Sequence, residues 1–273
     1  MSPIAREIES YYEQGREADR LFVERGELER VRTQSILVRH LPAPPATIVD
    51  VGGAAGVYAF PLAEAGYRVH LVDPVGLHLE QARERAAKSG VMLGSIARGD
   101  ARHLGFGRET ADAVLLLGPL YHLVERAERV LAIREAHRVL KPGGLLAAAA
   151  ISRFASFIDG MLKGFFNDAR FRGIVAGALT SGVHRNTIGG PNYFTTAYFH
   201  RPDELGDELR DGGFGDPQVL GVEGVAWSGA RFHEVWSNQE ARGALMEFLC
   251  SMEREPSILG ASAHFIAVAR KMA

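Results

Sequence analysis

Apolar positions change period several times along the chain, and each change marks an element. Over residues 1–40 a mostly polar background carries Ile8, Tyr11, Tyr12, Leu21, Phe22, Leu28, Val31, Ile36 and Leu37 at helical spacing, with breaks at Gly15 and Gly26. LPAPPA, 41–46, is too proline-rich for a helix and reads as a linker. The β-branched run Thr47, Ile48, Val49 and Val51 then ends in Gly52, Gly53, Ala54, Ala55 and Gly56, with a helix-compatible segment over 57–65. A second strand over 68–72 ends on Asp73. The pattern predicts strand, tight turn, helix, strand.

Pro74 opens an amphipathic helix that runs to about Ser89 and stops at Gly90. A weak strand over 93–98 leads to Gly99, Asp100 and Ala101. Residues 111–117, ADAVLLL, are almost continuously apolar, as expected of a parallel strand covered on both faces. This strand ends in a loop through Leu117, Gly118, Pro119, Leu120, Tyr121 and His122. A helix over 126–140, a turn at Lys141, Pro142, Gly143 and Gly144, and the strand LLAAAAI follow. Residues 152–200 depart from the alternation, reading as two short helices with an aromatic, apolar face and a tail that ends at Tyr198, Phe199 and His200. A helix from Pro202 to Gly212, a strand over 218–222, a helix over 239–254 and a closing strand over 263–270 complete the pattern.

With 273 residues, 47% of them hydrophobic, the chain can bury a large core, and one domain with inserts is expected. A net charge of −2 provides no broad basic surface for phosphate neutralisation, which argues against a nucleic-acid substrate. The single cysteine, Cys250, rules out an intramolecular disulfide and a cysteine zinc cluster. No apolar run reaches about 18 residues and the amino terminus is not signal-like, so no membrane partner and a cytoplasmic location are expected.

The candidate chemistry starts at the glycine turn. Glycines there let the backbone approach a ligand closely, and an acid at the tip of the next strand can accept the hydroxyls of a ribose. The spacing is G-G-x-x-G rather than the dinucleotide G-x-G-x-x-G, and no phosphate loop G-x-x-x-x-G-K-[ST] is present. Asp50, two residues before Gly52, puts a carboxylate where a cationic ligand would meet it.

The string Asp50-Val51-Gly52-Gly53-Ala54-Ala55-Gly56 followed by Asp73 resembles motif I and the second-strand acid of the class I S-adenosylmethionine (SAM)-dependent methyltransferases. EAHRVLKPGGLL is similar to the junction between that family's fourth helix and fifth strand. The family usually has glycine at Ala54. The resemblance covers residues 46–151 well and 202–270 loosely. It implies an α/β fold, a Rossmann-like seven-stranded sheet with helices on both faces, whose closing strand pairs antiparallel at the sheet edge. The expected organisation is a helical cap (1–45), a SAM-binding core (46–151), a helical, aromatic acceptor-binding insert (152–200) and a completion of the sheet (201–273).

The implied cofactor is SAM, leaving as S-adenosylhomocysteine. Its expected site comprises Asp50, Gly52, Gly53, Gly56, Asp73, Pro74, Asp100, Ala101, Leu117 and Gly118, with Asp100 on the adenine amine and the neighbouring amide on a ring nitrogen. Asp100 also reads as an ordinary turn cap. The amino-terminal helices either cover one edge of the sheet or form a lid in which Tyr11 or Tyr12 closes on the cofactor and Arg32 meets its carboxylate. For proton removal from the acceptor the candidates are His122 and His200, with Tyr121 orienting, against the alternative that each histidine is structural. Asp112 and Glu125 flank the fourth strand without forming a cluster, so no metal is expected. The Asn-Pro-Pro-Tyr motif of nucleobase and protein-amide N-methylation is missing, its place taken by Gly118-Pro119-Leu120-Tyr121.

The reading is methyl transfer to an O, N or C atom of a small organic acceptor, by a monomer or homodimer. Its rivals are a nucleotide-binding oxidoreductase and a non-catalytic SAM-binding protein of the same fold. The insert, alternatively, is a packed subdomain or dimer surface.

Overall fold

The structure is a computed structural model and describes residues 3–13, 15, 20–186 and 193–272. After α1 (Pro3–Tyr12) and α2 (Glu24–His40), strands and helices alternate. They run β1 (Thr47–Val51), α3 (Ala59–Glu64), β2 (Arg68–Asp73), α4 (Gly76–Ser89), β3 (Ser95–Arg98), β4 (Ala111–Leu116), α5 (Arg126–Val139) and β5 (Leu140–Ile151). The insert holds α6 (Ala155–Lys163), α7 (Ala169–Ser181) and a two-stranded ribbon of β6 (Val183–His184) with β7 (Ala197–Tyr198). Then come α8 (Pro202–Asp211), β8 (Gly215–Gly221), α9 (Phe232–Ser237), α10 (Gln239–Met252), α11 (Pro256–Leu259) and β9 (His264–Arg270).

Seven strands form one sheet in the order β3-β2-β1-β4-β5-β9-β8. β1 pairs parallel with β2 and with β4, so its register (Asp50 beside Leu71 and Leu115) puts the glycine turn at the middle of the sheet. Strand alternation sends Val49, Val114 and Leu146 to one face, against Ile133 and Ala136 of α5 and Leu205 of α8. Ile48, Leu71 and Leu115 go to the other, against Ile36 and Leu37 of α2, Phe60 of α3 and Leu79 of α4. Both faces are covered, which is why these strands read as unbroken apolar runs. The amino-terminal stretch therefore divides. α2 is a wall of the main core, and Leu28 extends it into a satellite cluster with Phe232, Trp236 and Leu249.

Two expectations are corrected. The closing strand is not at the edge: β9 lies between β5 and β8, antiparallel to both, and β8 is the edge. Its sequence AHFIAVAR agrees with an interior place, since Phe265, Ile266, Ala267 and Val268 are all buried. The Lys141–Gly144 turn does not separate α5 from the strand. Leu140 already pairs with Ala111 and Leu145 with Ala113, so the turn is a bulge within β5, with Gly143 at φ +77°.

Candidate active site

β1, β2 and β4 end at the same side of the sheet, and the chain between Asp50 and Tyr58 curls over that edge. Gly52 (φ +69°) donates its N–H to the Val72 carbonyl at 2.7 Å, which ties the turn to β2. A Cβ on Gly53 would sit 2.7 Å from the Asp50 carboxylate, so only glycine fits between that carboxylate and the ligand side. Ala54 adopts φ +48°, a glycine conformation held by an alanine, and its N–H donates to Asp73 Oδ2 at 2.9 Å.

This turn floors a cavity of about 640 Å³. Asp50, Gly52, Gly53, Asp73, Pro74, Asp100, Ala101, Leu117 and Gly118 all line it, so most of the sequence-derived cofactor set meets at one place. Tyr12, Tyr121 and His122 line it as well. α1 crosses above, with three ties: Glu9 to Arg98 (2.8 Å), Glu7 to the Thr196 hydroxyl (2.8 Å) and the Tyr12 hydroxyl to His122 Nε2 (2.8 Å).

The acids differ in how they are satisfied. Asp73 accepts from the Ala54 and Val75 amides and from His78 Nδ1 (3.0 Å), leaving one of a carboxylate's four or so acceptor positions. Asp100 is gripped by Arg102, whose hydrogen bonds hold its pKa below the usual carboxylate range. Asp50 is 1% exposed and neither carboxylate oxygen has a hydrogen-bond partner. Burial, reinforced by the charge of Asp73, pushes its pKa up to about 7. An orphaned buried carboxylate calls for a cation. The donor set fits SAM on this ground: an ammonium for Asp50, a ribose hydroxyl for Asp73, and a turn too close-packed for any side chain.

Four assignments are corrected. Arg32 is fully buried and bonds the Val222 carbonyl (3.0 Å) and Glu253 (2.6 Å), so it ties α2 to the β8 side and does not reach the cavity. His200 is also fully buried, its Nε2 3.2 Å from Glu208, with no path to an acceptor. Gly56 faces away. At φ +81° its missing Cβ makes room for the Phe60 ring. Among the described residues, none of the insert lines the cavity; Phe194 instead packs its ring on Tyr121 and His122 from behind.

His122 and Tyr121 remain at the wall, ring centroids 4.6 Å apart. Burial pushes His122 down to about 4, so at neutral pH it is an uncharged imidazole. The sequence reading missed His78, Arg20 and Glu29, which also line the cavity. His78 lies five residues after Asp73 near the start of an amphipathic helix, a local signal. Glu29 and Arg20 gave none.

A doubly wound sheet with a nucleoside-sized cavity at the carboxyl ends of its strands, an acid at the second strand tip and a close-packed glycine turn define a class I methyltransferase fold. Residues 48–144 match the family model for a methyltransferase domain. A ubiquinone biosynthesis O-methyltransferase from Methylocella silvestris is 36% identical over 117 residues, 42% of this chain and 44% of that protein. The namesake from a Methylobacterium species is 28% identical over 214 residues, 78% of this chain and 74% of its own. The chain thus spans less than half of the first relative. A solved SAM-dependent methyltransferase from Methanosarcina mazei superposes with a TM-score of 0.58 at 20% identity, covering 87% of this chain and 97% of that one, which shows the shared fold.

Proposed function

We propose that this protein transfers the methyl group of SAM to a small organic acceptor held between α1 and the Tyr121–His122 loop. The observation that carries the reading is Asp50, a buried carboxylate without a partner on the wall of a cavity whose remaining acids are paired. When bound, SAM supplies an electrophilic methyl group on a sulfonium. Asp50 meets its ammonium, Asp73 a ribose hydroxyl, and Asp100 with the Ala101 amide the adenine edge.

The protein's part in an in-line displacement is alignment and exclusion of water. α1 excludes water through its three ties. Tyr121 and His122 orient the acceptor. At a pKa of about 4, His122 is a weak proton acceptor and its Nε2 is held by the Tyr12 hydroxyl, so it shapes the acceptor's wall and does not remove a proton while α1 is closed.

Calorimetry with S-adenosylhomocysteine and with NADH tests the cofactor. The thioether should bind and NADH should not; the reverse result sinks the reading. Asp73→Ala should weaken S-adenosylhomocysteine by about 1.5 to 3 kcal/mol, the range for hydrogen bonds to a charged group. Mass spectrometry of cell extract incubated with protein and deuteromethyl-labelled SAM then identifies the acceptor.

A further inference from the structure

On the β8–β9 side of the cavity, across the sheet from Asp73 and Asp100, lies a second charged cluster to which the proposed cofactor contacts assign no role. Glu29 of α2 lines the cavity with its side chain 13% exposed, and both its oxygens accept from Arg20, which is 42% exposed. Behind it, His264 Nδ1 lies 3.7 Å from Glu29 and 2.6 Å from Glu223. Glu223 is buried, and its second oxygen accepts from the Ser262 hydroxyl (3.0 Å) and the His264 amide (2.9 Å). Burial alone would lower the pKa of His264, but the charges of Glu29 and Glu223 outweigh it and hold it above its ordinary value.

Two carboxylates, an imidazolium and a guanidinium balance. Without Arg20 the remainder carries one uncompensated negative charge. Arg20 is the exposed member and Glu29 the more buried one, so of the two it is the guanidinium that water can solvate. An anionic ligand would pull Arg20 off Glu29 and leave that charge stranded; a cation taking Arg20's place preserves the balance. The surrounding wall is apolar and aromatic: Ile8, Tyr12, Leu21, Tyr58 and Tyr121.

Resting on the methyltransferase reading, we propose that Glu29 anchors a cationic nitrogen on the acceptor, displacing Arg20, so that the acceptor class is an arylalkylamine. Glu29 then sets specificity, and His264 and Glu223 position it.

Full-length protein saturated with S-adenosylhomocysteine is titrated calorimetrically with three probes that share one ring: tyramine, tyrosol and 4-hydroxyphenylacetate. Tyramine should bind about tenfold or more tightly than the other two, the worth of one charge-assisted hydrogen bond. Glu29→Gln should erase that preference and Glu29→Asp retain part of it, with S-adenosylhomocysteine affinity unchanged in both. His264→Asn should weaken tyramine but not tyrosol, a charge-selective loss that a packing defect would not produce. Equal or better binding of the alcohol or acid, no tyramine binding, or a preference surviving in Glu29→Gln overturns the proposal. So does Mn²⁺ binding that depends on Glu29 and excludes tyramine, because the same carboxylates would then hold a metal ion. Failure of S-adenosylhomocysteine to bind the wild type would instead strike the cofactor reading.

Discussion

Single residues at the turn carry measurable consequences. Ala54 holds φ +48°, where an L-residue pays about 1 to 2 kcal/mol relative to its ordinary conformations. Glycine regains most of this and gives back about 0.5 to 1 kcal/mol in unfolded-state entropy. Ala54→Gly should therefore stabilise the protein by about 0.5 to 1 kcal/mol in urea denaturation. Asp50 has a raised pKa, so between its unfolded value near 4 and about 7 the folded protein binds the extra proton, and ligand-free stability should fall as pH rises across that window. A cationic cofactor reverses the shift. Binding near pH 7 should release a proton, detected by calorimetry in buffers of different ionisation enthalpy, and Asp50→Asn should abolish the release. Both residues lie in one short strand-to-turn segment that a contiguous string of sequence announces, with Asp73 at the tip of the adjacent strand as their neighbour. Arg32 and His200 were misplaced for the opposite reason: Glu253 and Val222 on one, and the burial that encloses the other, come from distant segments.

Among elements, α1 carries the most functional weight for its length. Its described side chains reach β3, the insert and the β4 loop through Glu9, Glu7 and Tyr12. Tyr12→Phe removes one tie of about 0.5 to 1.5 kcal/mol, and S-adenosylhomocysteine should leave about 2- to 10-fold faster in stopped flow. An unchanged rate would show that α1 does not gate the cavity. Periodicity found the helical amino terminus and the strands of the main sheet but not the β6–β7 ribbon, and it could not show which helix packs on the sheet and which lies over the ligand. The aromatic stripe of the insert illustrates the same ambiguity. Phe171 is spent on the insert's own packing, against Phe165, Phe166 and Tyr193, and not on the cavity.

At the scale of the whole molecule, a buried network joins α5, α8 and the insert. Arg129 pairs with Glu208 at 2.7 Å, Glu208 meets His200, and the Arg129 guanidinium lies 3.7 Å from the centre of the Tyr198 ring. Burial works against ionisation of Glu208, but His200 and Arg129 outweigh it and lower its pKa. Its contribution to stability is therefore present above the ordinary value of 4.5 and lost as pH falls through the lowered one. Glu208→Gln strands Arg129 and should cost about 3 to 5 kcal/mol, read by denaturation, with a flatter acid limb. The positions of β1, β2 and β4 were legible because these parallel strands show themselves as apolar runs. The position of β9 was not, since alternation says nothing about which neighbour a strand takes.

That position bears on assembly. β8 is synthesised before β9 yet finds in the sheet no other strand to bond with among the described residues. On the ribosome it must wait, while β1 to β5 are already able to close, so the half carrying the glycine turn is the natural first foldon and the edge is the part that arrives late.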